Sequence, residues 1–161
     1  MNKILDRTAL RETLDVLRKE GKKIAFTNGC FDILHVGHVR YLQEARKTAD
    51  VLVLGLNSDS SVRAIKGEKR PLVTESERAE VLAALECIDF VTIFPELTPL
   101  DLICFLKPDI LIKGGDWPED QVVGGKEIRE WGGHVTIVPE VAGKSTTNIV
   151  EKVLSVYRTE K

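Results

Sequence analysis

The chain has 161 residues, of which 43% are hydrophobic and 30% charged, and its formal net charge is −2. This length and apolar content suffice for one sizeable core, so we expect a single domain over 1–161, with a core at about 21–158 and an N-terminal helix at about 8–20. Without a global positive charge, the chain is not expected to bind nucleic acid or an anionic membrane surface, and any anion must be held locally.

The cysteines and the apolar runs indicate the compartment. Cys30, Cys87 and Cys104 are odd in number and form no CxxC pair, which argues against an exported disulfide scaffold and predicts a cytoplasmic protein. The longest apolar runs fall well short of the roughly 18 residues that a membrane-spanning helix requires. We therefore expect no membrane segment.

Hydrophobic spacing predicts helices and strands that alternate along the whole chain. The second predicted helix begins near Gly37 or His38, and Thr74 followed by Glu77 reads as a capping box at the start of the third. The predicted strands are 22–29, 51–59, 90–94, 109–114 and 134–139, and the predicted helices are 8–21, 38–48, 74–85, 98–108, 125–133 and 145–158.

This alternation with short connections predicts an α/β fold with a doubly wound, mainly parallel, five-stranded Rossmann-like sheet. In such sheets ligands bind outside the carboxyl ends of the strands, near the point where the strand order reverses. The polar stretch 58–76 contains spaced apolar residues, so it is predicted to be an active-site loop with a short helix.

The stretch "FTNGCFDILHVGHVRYL", 26–42, places His35 and His38 between a predicted strand and a predicted helix. Gly29 permits a tight exit from the strand, and the free N–H groups of the helix start suit a phosphate. The residues alone leave three interpretations open: structural histidines, a metal site, or imidazoles that stabilise phosphoryl charge. A catalytic zinc would need a third protein ligand, and the other histidine, His134, follows much later in the chain.

Two further segments follow predicted strands. "IKGGDW", 112–117, offers Lys113, Asp116 and two glycines, and "GKSTTNI", 143–149, offers Lys144 and several hydroxyls at a helix start. The second segment is a candidate anion site, although Ser145 also suits a plain N-cap. Trp117 is expected to be a packing residue rather than a platform for a base. Together the three segments predict a phosphate-binding edge of the sheet.

These motifs carry a resemblance. "GCFDILHVGH" resembles the HxGH signature of the cytidylyltransferase-like nucleotidyltransferases, and "STTNI" resembles their carboxyl-terminal STT motif. From about Gly21 onward, the chain is similar to the adenylyltransferase domain of the ADP-heptose synthases, as seen in "LNSDSSVRAIKGEKRP", "ERAEVLAALECIDFV" and "LKPDILIKGGDW". Many of those proteins fuse this domain behind a sugar kinase, so the chain is expected to be a stand-alone transferase or an excised domain.

The resemblance implies a nucleotidyltransferase that moves AMP from ATP to D-glycero-β-D-manno-heptose 1-phosphate, for lipopolysaccharide core or related glycan precursors. It implies Mg²⁺ bound through ATP phosphates and waters, with no dedicated protein cage. The implied catalytic residues are His35, His38 and Lys144. The implied nucleotide-binding residues are Asn28, Gly29, Cys30, Phe31, His35, His38, Lys113, Gly115, Asp116, Ser145, Thr146 and Thr147. The implied residues for the sugar phosphate are Asp32, Asp59, Lys66, Arg70 and Arg78.

One departure concerns the last motif. Some members of the wider superfamily carry an arginine in an "RTEGISTT" segment, whereas this chain reads "VAGKSTTNI", so Lys144 is expected to replace that charge. The choice of adenine rests on the resemblance alone.

Two other functions stay open: cytidylyl transfer from CTP to glycerol 3-phosphate or another small phosphate, and a non-catalytic nucleotide-binding module. The expected partners are ATP, a sugar 1-phosphate, a second copy in a homodimer, and a separate heptose kinase in the same pathway. The first and last helices carry apolar stripes that suit either the core or a dimer contact: Leu10, Leu14 and Leu17, and Ile149, Val153 and Val156.

Overall fold

The computed structural model of the chain describes residues 2–115, 117–139, 143 and 145–158. Its centre is one sheet of five parallel strands in the order β3-β2-β1-β4-β5. The prediction of a doubly wound, five-stranded parallel sheet is confirmed. The strands are β1 (Ile24–Gly29), β2 (Val51–Asn57), β3 (Phe90–Phe94), β4 (Ile110–Gly114) and β5 (His134–Val138).

Helices follow the strands on both faces of the sheet. The first has its N-terminus capped by the carboxylate of Asp6, which accepts the N–H groups of Thr8 and Ala9. In the predicted capping box, the Glu77 carboxylate accepts the backbone N–H and the hydroxyl of Thr74. The helices are α1 (Arg7–Lys19), α2 (Val36–Arg46), α3 (Asp59–Lys66), α4 (Glu75–Ala83), α5 (Leu100–Leu106), α6 (Gly125–Glu130) and α7 (Thr146–Tyr157), with a 3₁₀ turn at Glu119–Gln121.

Side chains of successive strand residues enter two separate cores. Phe26 and Val53 face α1, α5 and α6, whereas Ala25 and Leu52 face α2 and α4 on the other side. Each fully buried aliphatic or aromatic side chain contributes about 1.5–3 kcal/mol. Because both faces are covered, the strands are apolar throughout rather than alternating in polarity.

Two predicted boundaries differ from the structure because of N-cap residues, and the apolar stripe of α7, for which core and dimer contact were both open, lies outside the described core. Helix α2 begins at Val36, ahead of the predicted start at His38, because the His35 side chain acts as the N-cap. Strand β2 ends at Asn57, since Ser58 caps the helix that follows. The apolar stripe of α7 does not join the described core, and Val153 and Val156 are 49% and 54% exposed.

No helix in the described part of the chain combines the length and apolarity that a bilayer crossing demands.

The buried glycine of β2 provides a test of this packing. A Cβ added at Gly55 would lie 2.7 Å from Cζ of the buried Phe26 and 3.3 Å from Cδ2 of Leu102. We expect Gly55→Ala to lower the free energy of unfolding by about 1–3 kcal/mol, as overpacking of a core does. Urea denaturation would measure the loss, with Glu12→Ala on the exposed face of α1 as the control. Equal stability of the two variants would contradict this account of the core.

Candidate functional site

A cleft of about 560 Å³ opens at the carboxyl ends of β1, β2 and β4. Asn28 and Gly29 end β1, Asn57 ends β2, and Lys113 and Gly114 end β4, and all five residues line the cleft. Connections from β1 and β4 lead to opposite sides of the sheet, so the cleft lies at the reversal point of the strand order. This is the predicted position for a ligand.

The loop from β1 into α2 forms the floor of the cleft. Phe31 has a φ of +45° and folds back on the strand end. A Cβ at Gly29 would lie 2.7 Å from Cε2 of Phe31, so only glycine allows this close approach. The ring of Phe31 also contacts His38, with 5.1 Å between ring centroids. The sequence "NGCF" thus shapes the loop that presents the histidines.

His35 and His38 stack against each other beside the start of α2. Their ring centroids are 3.8 Å apart and their planes differ by 23°. Nδ1 of His35 accepts the N–H of Gly37 at 3.1 Å, so a neutral His35 carries its proton on Nε2. Nδ1 of His38 is buried and has no hydrogen-bond partner among the residues that the structure describes. Burial and the neighbouring His35 lower the pKa of His38 to about 4.

A neutral His38 at physiological pH is a testable property. Because its pKa is depressed, we expect the imidazole signal of His38 to titrate near pH 4 in NMR spectra rather than near 6.5. The unfolded chain would bind this proton below about pH 6.5, so acidification between the two values should reduce stability. His35→Asn should raise the pKa of His38 by removing a neighbouring charge. A wild-type titration near pH 6.5 would contradict the burial argument.

Cationic side chains flank the cleft on both sides. Lys66 and Arg70 approach from the segment after β2, and Lys113 extends from the end of β4. Trp117 lies at the rim and is 51% exposed, with the ammonium group of Lys113 6.0 Å from its ring centroid. About half of this residue is exposed, so the predicted packing role accounts for only part of its surface. The exposed ring is available to a planar ligand.

The N-terminus of α7 closes another side of the cleft. The Ser145 hydroxyl accepts the N–H of Asn148 at 3.1 Å, which is the predicted capping role. The Thr146 hydroxyl donates to the carbonyl of Ile33 at 3.3 Å and joins this helix to the histidine loop. Ser145, Thr146 and Thr147 all line the cleft. Two helix N-termini, those of α2 and α7, thus meet at one cavity, and both favour anions.

Asp32 anchors a neighbouring loop inside the cleft. Its side chain is 1% exposed and accepts Nε–H of Arg70 and the backbone N–H groups of Leu72 and Val73. Burial on its own would raise the pKa of Asp32, but the backbone N–H groups of Leu72 and Val73 and the Arg70 guanidinium hold it below its usual range. The carboxylate therefore carries its charge at neutral pH.

Three residues that the resemblance assigns to ligands are not among those lining the cleft. Arg78 is fully buried and donates from Nε to Val73 O at 3.0 Å, from Nη1 to Cys30 O, and from Nη2 to Asp59 at 2.8 Å. Asp59 is thereby committed to an internal ion pair. Gly115 has a φ of +94°, and its N–H donates to the carbonyl of Val138 at 3.1 Å.

Cys30 lines the cleft, and burial raises the pKa of its thiol. A raised pKa disfavours the thiolate, which agrees with a packing role rather than a nucleophile. Two other predicted site residues, Asp116 and Lys144, lie outside the described residues.

Several lining residues were missed in the sequence. Tyr41 lies three positions after His38, hence on the same face of α2, and its hydroxyl is 2.6 Å from that of Thr27. Asn57 is a polar residue at the end of an apolar strand, as Asn28 is, and this shared position is the signal that could have found it. Gly114 is one of the two glycines of "IKGGDW" and Gly37 is the glycine of the HxGH stretch, whereas Ile65 carries no comparable signal.

Comparisons with known proteins agree with this geometry. The cytidylyltransferase-like family model matches residues 26–157. The chain is 56% identical over 156 residues to the bifunctional protein HldE of Syntrophotalea carbinolica and 58% identical over 156 residues to that of Pelobacter propionicus, covering 97% of this chain and 32% of each relative.

The chain thus spans about a third of the length of these curated relatives. The solved structure of the lipopolysaccharide core biosynthesis protein from Thermoplasma volcanium GSS1 is similar, with a TM-score of 0.63 at 30% identity, covering 75% of this chain and 98% of that one. The predicted superfamily is confirmed, and the chain belongs to the cytidylyltransferase-like family of nucleotidyltransferases.

Proposed function

We propose that the chain transfers AMP from ATP to the phosphate of D-glycero-β-D-manno-heptose 1-phosphate, giving ADP-heptose and pyrophosphate. The observation that carries this proposal is the meeting of two helix N-termini and two stacked imidazoles at one cleft with cationic walls. Such a site suits a polyphosphate chain. The choice of sugar rests on the resemblance to the ADP-heptose synthases, supported by the similarity to the HldE proteins.

The nucleotide phosphates are assigned to the histidine loop and the start of α7. His38 is a neutral donor at the start of α2, and His35 stacks on it there, so both imidazoles would contact the α-phosphate. Ser145, Thr146 and Thr147 would hold the β- and γ-phosphates at the second helix start. The base would then lie toward the end of β4, where the exposed Trp117 offers a stacking surface.

The acceptor phosphate is assigned to Lys66 and Arg70 on the opposite wall. One of its oxygens attacks the α-phosphorus in line, and the bond from that phosphorus to the β-phosphate oxygen breaks to release pyrophosphate. The attacking group is already an anion, so no general base is required. The residues contribute by positioning both phosphates and by stabilising charge that develops on the α-phosphate oxygens.

Enzymes of this type generally use a divalent metal with ATP, and we propose Mg²⁺. Within the described ranges, no three His, Cys, Asp or Glu side chains are grouped as a metal site. Asp32 is the one carboxylate among the described lining residues, and Arg70 and two backbone N–H groups already engage it. With no free carboxylate among these residues, we propose that Mg²⁺ is coordinated by phosphate oxygens of ATP and by water molecules, where it would neutralise phosphate charge.

Pyrophosphate release from the purified chain tests the proposal. In the presence of Mg²⁺, each of the nucleotides ATP and CTP would be tested with each of three acceptors: heptose 1-phosphate, glycerol 3-phosphate and a hexose 1-phosphate. We expect release with ATP and heptose 1-phosphate alone. Release with CTP and glycerol 3-phosphate would show nucleotidyl transfer to a different substrate. No release with any of the combinations would favour a non-catalytic nucleotide-binding module. We also propose that the protein is cytoplasmic and forms a homodimer, and that a heptose kinase produces its sugar 1-phosphate substrate.

A further inference from the structure

We propose that Asp32 is a positioning residue that holds the Arg70 guanidinium in the orientation needed to bind the acceptor phosphate. The inference rests on the proposed function, because it takes Arg70 as a ligand of that phosphate. Asp32 itself would not contact the substrate. Its role would be to fix one edge of Arg70 and leave the other edge for an anion.

The hydrogen bonds of Asp32 leave it little capacity for a ligand. Nε–H of Arg70 donates to Oδ2 at 2.5 Å, Leu72 N–H reaches both oxygens at 2.8 and 2.9 Å, and Val73 N–H reaches Oδ1 at 2.9 Å. With 1% of its side chain exposed, the carboxylate faces these three donors rather than the solvent of the cleft. A sugar hydroxyl would have to displace one of them.

Arg70, by contrast, retains donors. A guanidinium has five N–H groups in a planar fork, and Asp32 uses only the one on Nε. Its Nη groups make no hydrogen bond to the residues that the structure describes, and the side chain is 23% exposed where it lines the cleft. The free edge of the fork matches the geometry of two phosphate oxygens.

The anchoring also reaches the backbone of the loop that carries Arg70. Asp32 accepts the N–H groups two and three residues after Arg70, so one carboxylate fixes the side chain and the following turn together. Asp32 precedes His35 by three residues in the histidine loop. The same loop therefore positions groups for both reacting phosphates, and preorganisation of this kind lowers the cost of ordering them on binding.

A double-mutant cycle tests this coupling. We expect Asp32→Asn to raise the KM for the sugar phosphate by about tenfold, as loss of a charged hydrogen bond would, with kcat and the KM for ATP within about twofold. Arg70→Lys should raise the same KM because lysine has no fork. In the Arg70→Lys background, Asp32→Asn should have little further effect, because Asp32 acts through Arg70.

Asp89→Asn is the matched control. Asp89 also pairs with an arginine, Arg46, at 3.2 Å and accepts a backbone N–H, that of Leu52, at 2.7 Å. It directly precedes β3, at the amino ends of the strands and therefore on the edge opposite the cleft. We expect its kinetic constants to match those of the wild type. Additive effects of the Asp32 and Arg70 substitutions, or an unchanged KM in Asp32→Asn, would overturn the inference.

A second readout separates this inference from the proposed function. The Nε–H signal of Arg70 in ¹⁵N NMR spectra should be protected in the wild type and lost in Asp32→Asn, and inorganic phosphate added with ATP should shift it. Absence of turnover with every sugar phosphate would refute the proposed function. The NMR experiment with inorganic phosphate would still decide the role of Arg70. If neither Asp32→Asn nor inorganic phosphate changed the Nε–H signal of Arg70, the positioning role of Asp32 would be refuted.

Discussion

His38→Ala is expected to lower turnover by about 10²–10³-fold while leaving ATP affinity within a few fold, as removal of a preorganised transition-state donor does. His38 lies beside the N-terminus of α2 and stacks on His35 at 3.8 Å. Its buried Nδ1 has no described partner, and its lowered pKa keeps the ring neutral at pH 7. A neutral donor responds most to charge that develops on the α-phosphate, which is greater in the transition state than in bound ATP.

Calorimetric titration with ATP and steady-state pyrophosphate release together measure the two effects. His134→Ala is the control, because this exposed histidine begins β5 at the opposite edge of the sheet. It should leave both quantities unchanged. If His38→Ala weakened ATP binding and turnover by the same factor, the histidine would serve binding alone, and the non-catalytic module would regain support.

The overall fold was accessible to sequence analysis because its signals are local. Neighbouring residues are enough to predict an apolar strand such as "VLVLGL" and the polar residue that ends it. They are also enough to predict the helix starts at Thr74 and Ser145. The early start of α2 was missed because histidine is not among the preferred N-cap residues. Hydrophobic spacing in α7 showed an apolar stripe but could not say whether anything covers it, and the described core does not.

Site residues could be predicted from the sequence where a motif follows a strand. They could not be predicted where a residue's partners are distant in the sequence. His35, His38 and Thr146 belong to such motifs and do line the cleft. Asp32 instead bonds to Leu72, 40 positions away, and Arg78 bonds to Cys30, 48 positions away. A charge in a polar loop looks the same whether its partner is a ligand or another segment of the chain. Only the tertiary structure distinguishes these cases.

Arg78 shows the consequence of such an internal partner. Arg78→Met should reduce the free energy of unfolding by about 3–5 kcal/mol, the usual result of breaking a buried ion pair on one side. The guanidinium is fully buried and bridges Asp59, Cys30 O and Val73 O. Methionine would fill similar volume but leave a carboxylate and two carbonyls without their donor. Total stability of a domain is only about 5–15 kcal/mol, so the loss would be large.

Urea denaturation followed by circular dichroism would measure this loss, with Arg63→Met on the exposed face of α3 as a control expected to change stability by less than about 0.5 kcal/mol. Adding Asp59→Asn to Arg78→Met should restore part of the stability, because the unpaired charge is removed with its partner. An Arg78→Met variant with wild-type stability but a raised KM for the sugar phosphate would show instead that Arg78 turns toward the substrate. The direction of the stability change therefore decides whether this arginine supports the cleft or binds within it.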